Sequence, residues 1–322
     1  MTAALVLLGY AAAAATVGPR LLTRTGWAAR SPRSGVLAWQ VLSTTVVLAV
    51  LLAAVALALP FLPLRFPLAD VLGTHPLALV EHYETPLGAW PGLLGLLAAG
   101  SGLLLLAATA LRSGREVARG RRAQRDLLRL VGRRHPEGFT VLDHEEPTVY
   151  CVPGRARAIV VTTGALGILT DQQRRLVLGH ERRHLRGRHH LALGYSAALA
   201  GTFGWVRLFA EAHRRIAVLV EMSADDAARG VAERRVLAEA LVALSAGVRP
   251  ATLAAGDTAA LERVRRLTRP VGPTWRGQGA LVAVAAATVL SIPVTLAAAP
   301  AIEAATRDCC TMVVPTVPTT RG

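Results

Sequence analysis

From Gly35 to Pro63 the chain runs 29 residues without an acidic or basic side chain, "GVLAWQVLSTTVVLAVLLAAVALALPFLP". Such a stretch can cross about 30 Å of hydrocarbon with some tilt. Three further apolar runs extend from Thr2 to Val17, Pro91 to Leu111 and Gly279 to Ile302. They dominate the composition, with 52% apolar residues and only 18% charged, against about 25% charged in a soluble domain. The runs predict a mainly α-helical integral membrane protein with about four transmembrane helices.

The charges orient those helices. The net charge is +15 and arginine dominates it. Basic loops stay on the cytoplasmic side. No basic residue precedes the first run, and Arg20, Arg24, Arg30 and Arg33 follow it, the reverse of a signal peptide. The first run is therefore expected to span with its N-terminus outside. Residues 64–90 hold Asp70, Glu81 and Glu84 against one arginine and are expected outside; nine arginines follow Leu111 and face in. Residues 1–111 then form a membrane region of three helices, 112–278 a cytoplasmic domain, 279–302 a fourth helix and 303–322 a short extracytoplasmic tail. These arginines border apolar runs and no double-stranded-RNA, zinc-finger or helix-turn-helix signature accompanies them, so the expected partner is a lipid bilayer and not nucleic acid. Cys151, Cys309 and Cys310 form neither a CxxC pair nor a disulfide framework.

The polar region opens with an amphipathic helix around "REVARGRRAQRDLLRLV". Two strand-like pieces follow, residues 139–152 and 157–166, the second rich in β-branched residues and ending near Gly164. Thr170 and Gln173 make a capping box, so a helix is expected to begin there. Residues 206–246 read as a further long helical stretch interrupted at Gly230.

The helix after Thr170 carries "LVLGHERRHLRGRHH", which holds four of the nine histidines. Within it, His180-Glu181-Arg182-Arg183-His184 is H-E-x-x-H. A separation of i,i+4 is just over one turn, so both imidazoles leave one face at chelating distance. Glu181 is then placed to act as general base on a water, and zinc suits such a nitrogen and oxygen set. The competing interpretation is a solvated basic helix face. A third ligand must come from another element. Glu221 is the candidate, an acid within "RIAVLVEMSADDAARG", where burial is costly unless the charge is paired or metal-bound; a salt bridge to Arg214 or Arg215 is the alternative. Asp225, one turn on, suits holding the other nitrogen of a ligand histidine. Asp226 points about 100° away and reads as a surface acid.

"LVLGHERRHLRGRHH" followed by "EMSADDAA" resembles the membrane-embedded zinc metallopeptidases of the M48/M56 group, which includes CAAX-processing, HtpX-like and BlaR1/MecR1-type sensor proteases. The resemblance covers about residues 110–235. It implies a zincin-like domain with His180, His184 and Glu221 as zinc ligands, Glu181 activating water and Asp225 in support. "IVVTTGALGIL", residues 159–169, resembles the strand and turn before the zinc helix, implying a strand that borders the cleft and pairs with an extended substrate. Three spans before the domain and one after look closest to the M56 side. The sensor proteases' penicillin-binding domain is not expected, because the sequence ends shortly after the fourth run.

The apolar segment 191–209 is then expected to dip and return, lie along the interface or enter the domain core. A single crossing would strand Glu221 on the other side from His180. Other candidates carry less. His189 falls off the ligand face and suits a polar or structural role. His213, roughly 12 Å along the helix from Glu221, could reach substrate. Tyr150 and "CVPG" could shape the cleft rim, and Cys151 lacks a nearby histidine in sequence to make it a nucleophile. His75, His82 and Glu84 read as a solvated loop before an external metal or proton-sensing site. The whole predicts a multi-pass cell-membrane zinc endopeptidase, its catalytic domain cytoplasmic, acting on a membrane protein or a cytoplasmic regulator such as a transcriptional repressor. The alternative is a non-catalytic membrane signalling or scaffold protein that keeps the fold.

Overall fold

The computed structural model describes residues 1–24, 26–73, 75–83, 88–154, 157–246, 257–269 and 277–308. Glu84 and the tail residues Cys309 and Cys310 lie outside them. The protein is mostly helical with one small sheet, and it divides into two compact units. The first comprises residues 1–18, 41–105 and those from 284 onward; the second comprises 19–40 and 106–283.

The apolar runs fall in α1 (Thr2–Arg24), α3 (Pro32–Ala58), α6 (Trp90–Val131) and α13 (Gln278–Asp308). All four are long and apolar enough to cross a membrane. Short α2 (Trp27–Arg30) lies between the first two. The third run and the arginine-rich amphipathic stretch make one continuous helix of 42 residues. No proline follows Pro91 within it, so nothing breaks the hydrogen-bond ladder. Residues 64–90 contain two helices, α4 (Arg65–Leu72) and α5 (Pro76–Tyr83), with Gly73 at φ +65° ending the first.

In the first unit a proline creates an acceptor that two other helices use. Pro293 inside α13 has no N–H for the carbonyl of Val289, four residues earlier. That carbonyl accepts instead from Tyr10 of α1 at 3.2 Å and from Thr45 of α3 at 3.0 Å. In an apolar setting each such satisfied group avoids a cost of several kcal/mol, in the range of about 2–7. Sequence features far apart in the chain thus fasten three apolar helices together.

The second unit is built on a four-stranded sheet ordered β1-β2-β4-β3, comprising β1 (Arg133–Arg134), β2 (Thr140–Leu142), β3 (Val149–Val152) and β4 (Ala158–Thr162). β2 and β4 are parallel and the other pairs antiparallel. Strand alternation sorts the side chains. Val141, Ile159 and Val161, with Val149 and Cys151, join Val177 and Leu178 in one core; Leu142, Tyr150, Val152 and Val160 pack with Leu128 of α6 on the other face. β4 runs into α7 (Thr163–Ile168), where Thr162 caps the helix through the N–H of Ala165. A Cβ on Gly164 would lie 1.9 Å from the carbonyl oxygen of Glu145, so glycine is required by that close approach.

The helices α8 (Asp171–Arg186), α9 (His189–Thr202), α10 (Arg207–Asp225), α11 (Val231–Ala246) and α12 (Asp257–Thr268) complete this unit. The helical stretch expected over 206–246 with an interruption at Gly230 is two helices. The break spans Asp226–Gly230, where Arg266 takes the carbonyl of Met222 and the carboxylate of Asp226. Asp226 is accordingly a docking point for α12 and not a plain surface acid. Segment 191–209 takes in all but the first two residues of α9, a turn and the start of α10, and the two helices are joined by a hydrogen bond between Ser196 Oγ and His213 Nδ1 at 3.0 Å. The hairpin returns the chain to the same unit, as meeting of His180 and Glu221 demands.

Candidate metal centre

The capping box forms as the sequence predicts: Gln173 N donates to Thr170 Oγ1 at 3.3 Å and Thr170 N donates to Gln173 Oε1 at 3.0 Å. It fixes where α8 starts and hence which face its residues present. His180 and Glu181 are buried at 5% and 9% exposure. α10 packs against α8 and brings Glu221 to the two histidines. His180 Nε2 lies 3.1 Å from His184 Nε2 and 3.5 Å from Glu221 Oε2; His184 Nε2 lies 3.4 Å from Glu221 Oε1.

Those three separations test whether the residues fit an ion. Zinc bonds to nitrogen and oxygen of about 2.0–2.1 Å require the corners of a tetrahedron to be about 3.3 Å apart. The observed spacings bracket that edge, with His180 and His184 each facing a different oxygen of Glu221. Two imidazoles and one carboxylate also leave a fourth corner open, the donor set of a catalytic site. Among the described residues this is the one cluster of three or more such side chains that could hold a metal.

The surroundings fix the charges. His180 Nδ1 lies 3.0 Å from Asp225 Oδ1, at an angle too oblique for a strict hydrogen bond. Arg263, on α12, donates to both oxygens of Asp225, at 3.0 and 2.7 Å, and its Nη1 is 3.1 Å from Glu221 Oε2. Burial opposes charge on His180, but Asp225 and Glu221 outweigh it and raise the pKa to about 9. Burial likewise opposes charge on Glu221, yet His180, His184 and Arg263 hold its carboxyl well below the usual range. Without an ion, the site holds its carboxylates ionised and draws positive charge between them.

Arg263 could not have been found from the motif. It lies 38 residues beyond Asp225, in "LERVRRL", which reads as an ordinary basic helix. Arg214 and Arg215 pair with Glu211 and leave Glu221 to Arg263. His189, placed off the ligand face by helical spacing, is brought back by a turn: its Nδ1 lies 3.0 Å from Nδ1 of His184. Burial, then repulsion from His184, push its pKa down to about 4. His213 is engaged by Ser196 within the hairpin. His75 accepts from the N–H of Leu77.

Burial raises the carboxyl pKa of Glu181 against the pull of His180 and His184. Cys151 of β3 is its thiol neighbour. Burial, the charge of Glu181 and a hydrogen bond to it drive the thiol to about 12, so Cys151 stays protonated and is no nucleophile. Tyr150 alternates to the opposite face, against Leu128 and Val160, and does not form a rim beside Glu181. β4, the strand expected to receive substrate, has β2 on one side and β3 on the other. Among the described residues β3 is the edge strand of the sheet that packs against α8. A cavity of about 560 Å³ lined by Arg125, Arg129, Arg134 and Arg157 shares no residue with the cluster.

Residues 117–219 match the profile of Peptidase family M48. A Protease HtpX homolog of Acidiphilium cryptum (strain JF-5) is 36% identical over 74 residues, covering 22% of this chain and 25% of that protein. The chain thus aligns with about a quarter of the length of this curated relative. No solved structure gives a significant match. The matched segment contains both histidines, Glu181 and the sheet, and stops two residues before Glu221. These similarities liken the segment that holds the H-E-x-x-H motif to M48-type metallopeptidases.

Proposed function

We propose that the chain is a zinc-dependent endopeptidase of the cell membrane, with His180, His184 and Glu221 as metal ligands and Glu181 as the catalytic base. The observation that carries this reading is the convergence of two imidazole nitrogens and the Glu221 carboxylate, at separations close to a tetrahedral edge, beside the buried Glu181. Four membrane-length helices support a multi-pass anchor, and the basic segments after α1 and within α6 support a cytoplasmic catalytic unit. The order of three such helices before the unit and one after is what favours an M56-like arrangement.

Zinc in this site would polarise the scissile carbonyl and acidify a water. The residues of the chain do the rest. Glu181 takes a proton from the attacking water and returns it to the departing amine. Its burial makes it a stronger base than a surface carboxylate. Asp225 orients His180, and Arg263 holds Asp225 and Glu221 in place. The open edge of β3 would pair with an extended peptide, and Cys151 on that strand adjoins Glu181. Substrates of this reading are membrane proteins or a cytoplasmic regulator such as a transcriptional repressor, cleaved at the inner membrane surface.

Turnover of an unfolded protein substrate by purified protein, wild type beside Glu181→Gln, tests the mechanism. Loss of at least about a hundredfold in rate with zinc retained supports a general base. Turnover that persists in the zinc-loaded variant contradicts it, and an inactive wild type with bound zinc favours a signalling or scaffold protein.

A further inference from the structure

We propose that His189 is a positioning residue for the metal centre: as a neutral acceptor it fixes the tautomer and orientation of His184. The inference rests on the metallopeptidase reading above, but it concerns a residue outside the H-E-x-x-H pattern and outside the ligand set.

His184 has two ring nitrogens with different surroundings. Nε2 faces His180 Nε2 at 3.1 Å and Glu221 Oε1 at 3.4 Å, so it is the nitrogen available to an ion. Nδ1 faces His189 Nδ1 at 3.0 Å, with the two rings edge to face at 84°. An imidazole that binds through Nε2 carries its hydrogen on Nδ1, and that hydrogen needs an acceptor. Two facing ring nitrogens make one hydrogen bond only if one donates and the other accepts. Metal on His184 decides the direction. His184 donates, and His189 must present a bare Nδ1 as the neutral Nε2–H tautomer.

The chain is bent to achieve this. Helical continuation past Arg186 would carry residue 189 away from His184. Instead α8 stops at Gly187, and Arg188 takes φ +49°, the one described non-glycine residue with positive φ. Bulky side chains adopt that region rarely. α9 begins at once with His189, which is 9% exposed. Its ring lies over Gly187, where a Cβ would come within 2.4 Å of His189 Nε2. A left-handed arginine and a glycine without room for a methyl group thus hold one imidazole against another. His180 and His184 consequently have different partners: a carboxylate clamped by Arg263 for the first, an uncharged ring for the second.

The experiment is zinc affinity of the purified full-length protein by chelator competition, with cobalt(II) absorption as a report on ligand geometry. His189→Ala is expected to weaken zinc binding about 10- to 100-fold and to alter the cobalt spectrum. His189→Asn, whose Oδ1 offers an acceptor in the place of Nδ1, is expected to recover wild-type affinity to within about threefold. Gly187→Ala, which leaves every ligand intact but displaces the ring, is expected to weaken binding like His189→Ala and carries the same test should His189→Ala fail to fold. Wild-type affinity in folded His189→Ala or Gly187→Ala, or an asparagine variant no better than alanine, overturns the assignment while leaving the metal centre standing. A wild type that binds no zinc overturns the metallopeptidase reading and this inference with it.

Discussion

Arg263 and Asp225 meet side-on, Nε to Oδ2 at 3.0 Å and Nη2 to Oδ1 at 2.7 Å, with the aspartate side chain fully buried and the arginine 14% exposed. The same guanidinium reaches Glu221. One cation on α12 therefore serves a candidate ligand and the partner of another, and α12 becomes part of the site although it bears none of its chemistry.

Removing that cation leaves a buried carboxylate unpaired. Breaking one side of a buried pair costs about 3–5 kcal/mol, and the partial exposure of Arg263 points to the lower end, about 3. Arg263→Gln is expected to lower the thermal midpoint and to weaken zinc binding, since Glu221 and Asp225 lose their shared anchor. Thermal unfolding of the metal-free and zinc-loaded forms checks this. A midpoint unchanged from wild type in both forms contradicts it.

The same pair sets an acid dependence. Burial tends to raise the pKa of Asp225, but the hydrogen bonds from Arg263 and the close contact with His180 prevail and hold it below its ordinary value. A carboxyl depressed on folding stabilises the folded state above its unfolded pKa, and this contribution disappears as pH falls through the folded one. The stability gap between metal-free wild type and Arg263→Gln is thus expected to be widest near neutrality and to close below the usual carboxylate range. Chemical denaturation at stepped pH in chelator measures it. A gap that widens on acidification contradicts the pairing.

Cys151 provides a probe of Glu181. With Cys309 and Cys310 replaced by serine it is the sole thiol. Its pKa near 12 leaves almost no thiolate at pH 8, so a maleimide is expected to label it far more slowly in the folded protein than in denaturant. Glu181→Gln removes the neighbouring negative charge, which is expected to lower the thiol pKa and speed the labelling. Equal rates in the two proteins would separate Cys151 from Glu181.

Much of this architecture could be read from residue order alone, for physical reasons. Charge-free runs and i,i+4 histidines are local patterns, and the Thr170–Gln173 box fixes a helix start within four residues. Glu221 was legible because an acid amid Val218, Leu219, Val220 and Met222 calls for a partner. Arg263 was not, since a basic residue on a basic helix gives no sign of what it faces 38 residues away. His189 was hidden by an assumption of helical continuity that the left-handed Arg188 breaks. The edge position of β3 depended on parallel pairing of β2 with β4, a non-local choice that strand propensity does not encode.

The most direct measurement is zinc per chain in detergent-purified protein, wild type beside Glu221→Ala, with folding followed by circular dichroism. The geometry of His180, His184 and Glu221 predicts about one zinc per wild-type chain, the content of a single catalytic site, and loss or marked weakening in the folded variant. A wild type that takes up no zinc when supplied with it, or a Glu221→Ala protein that holds zinc as tightly as wild type, would contradict the three-ligand centre.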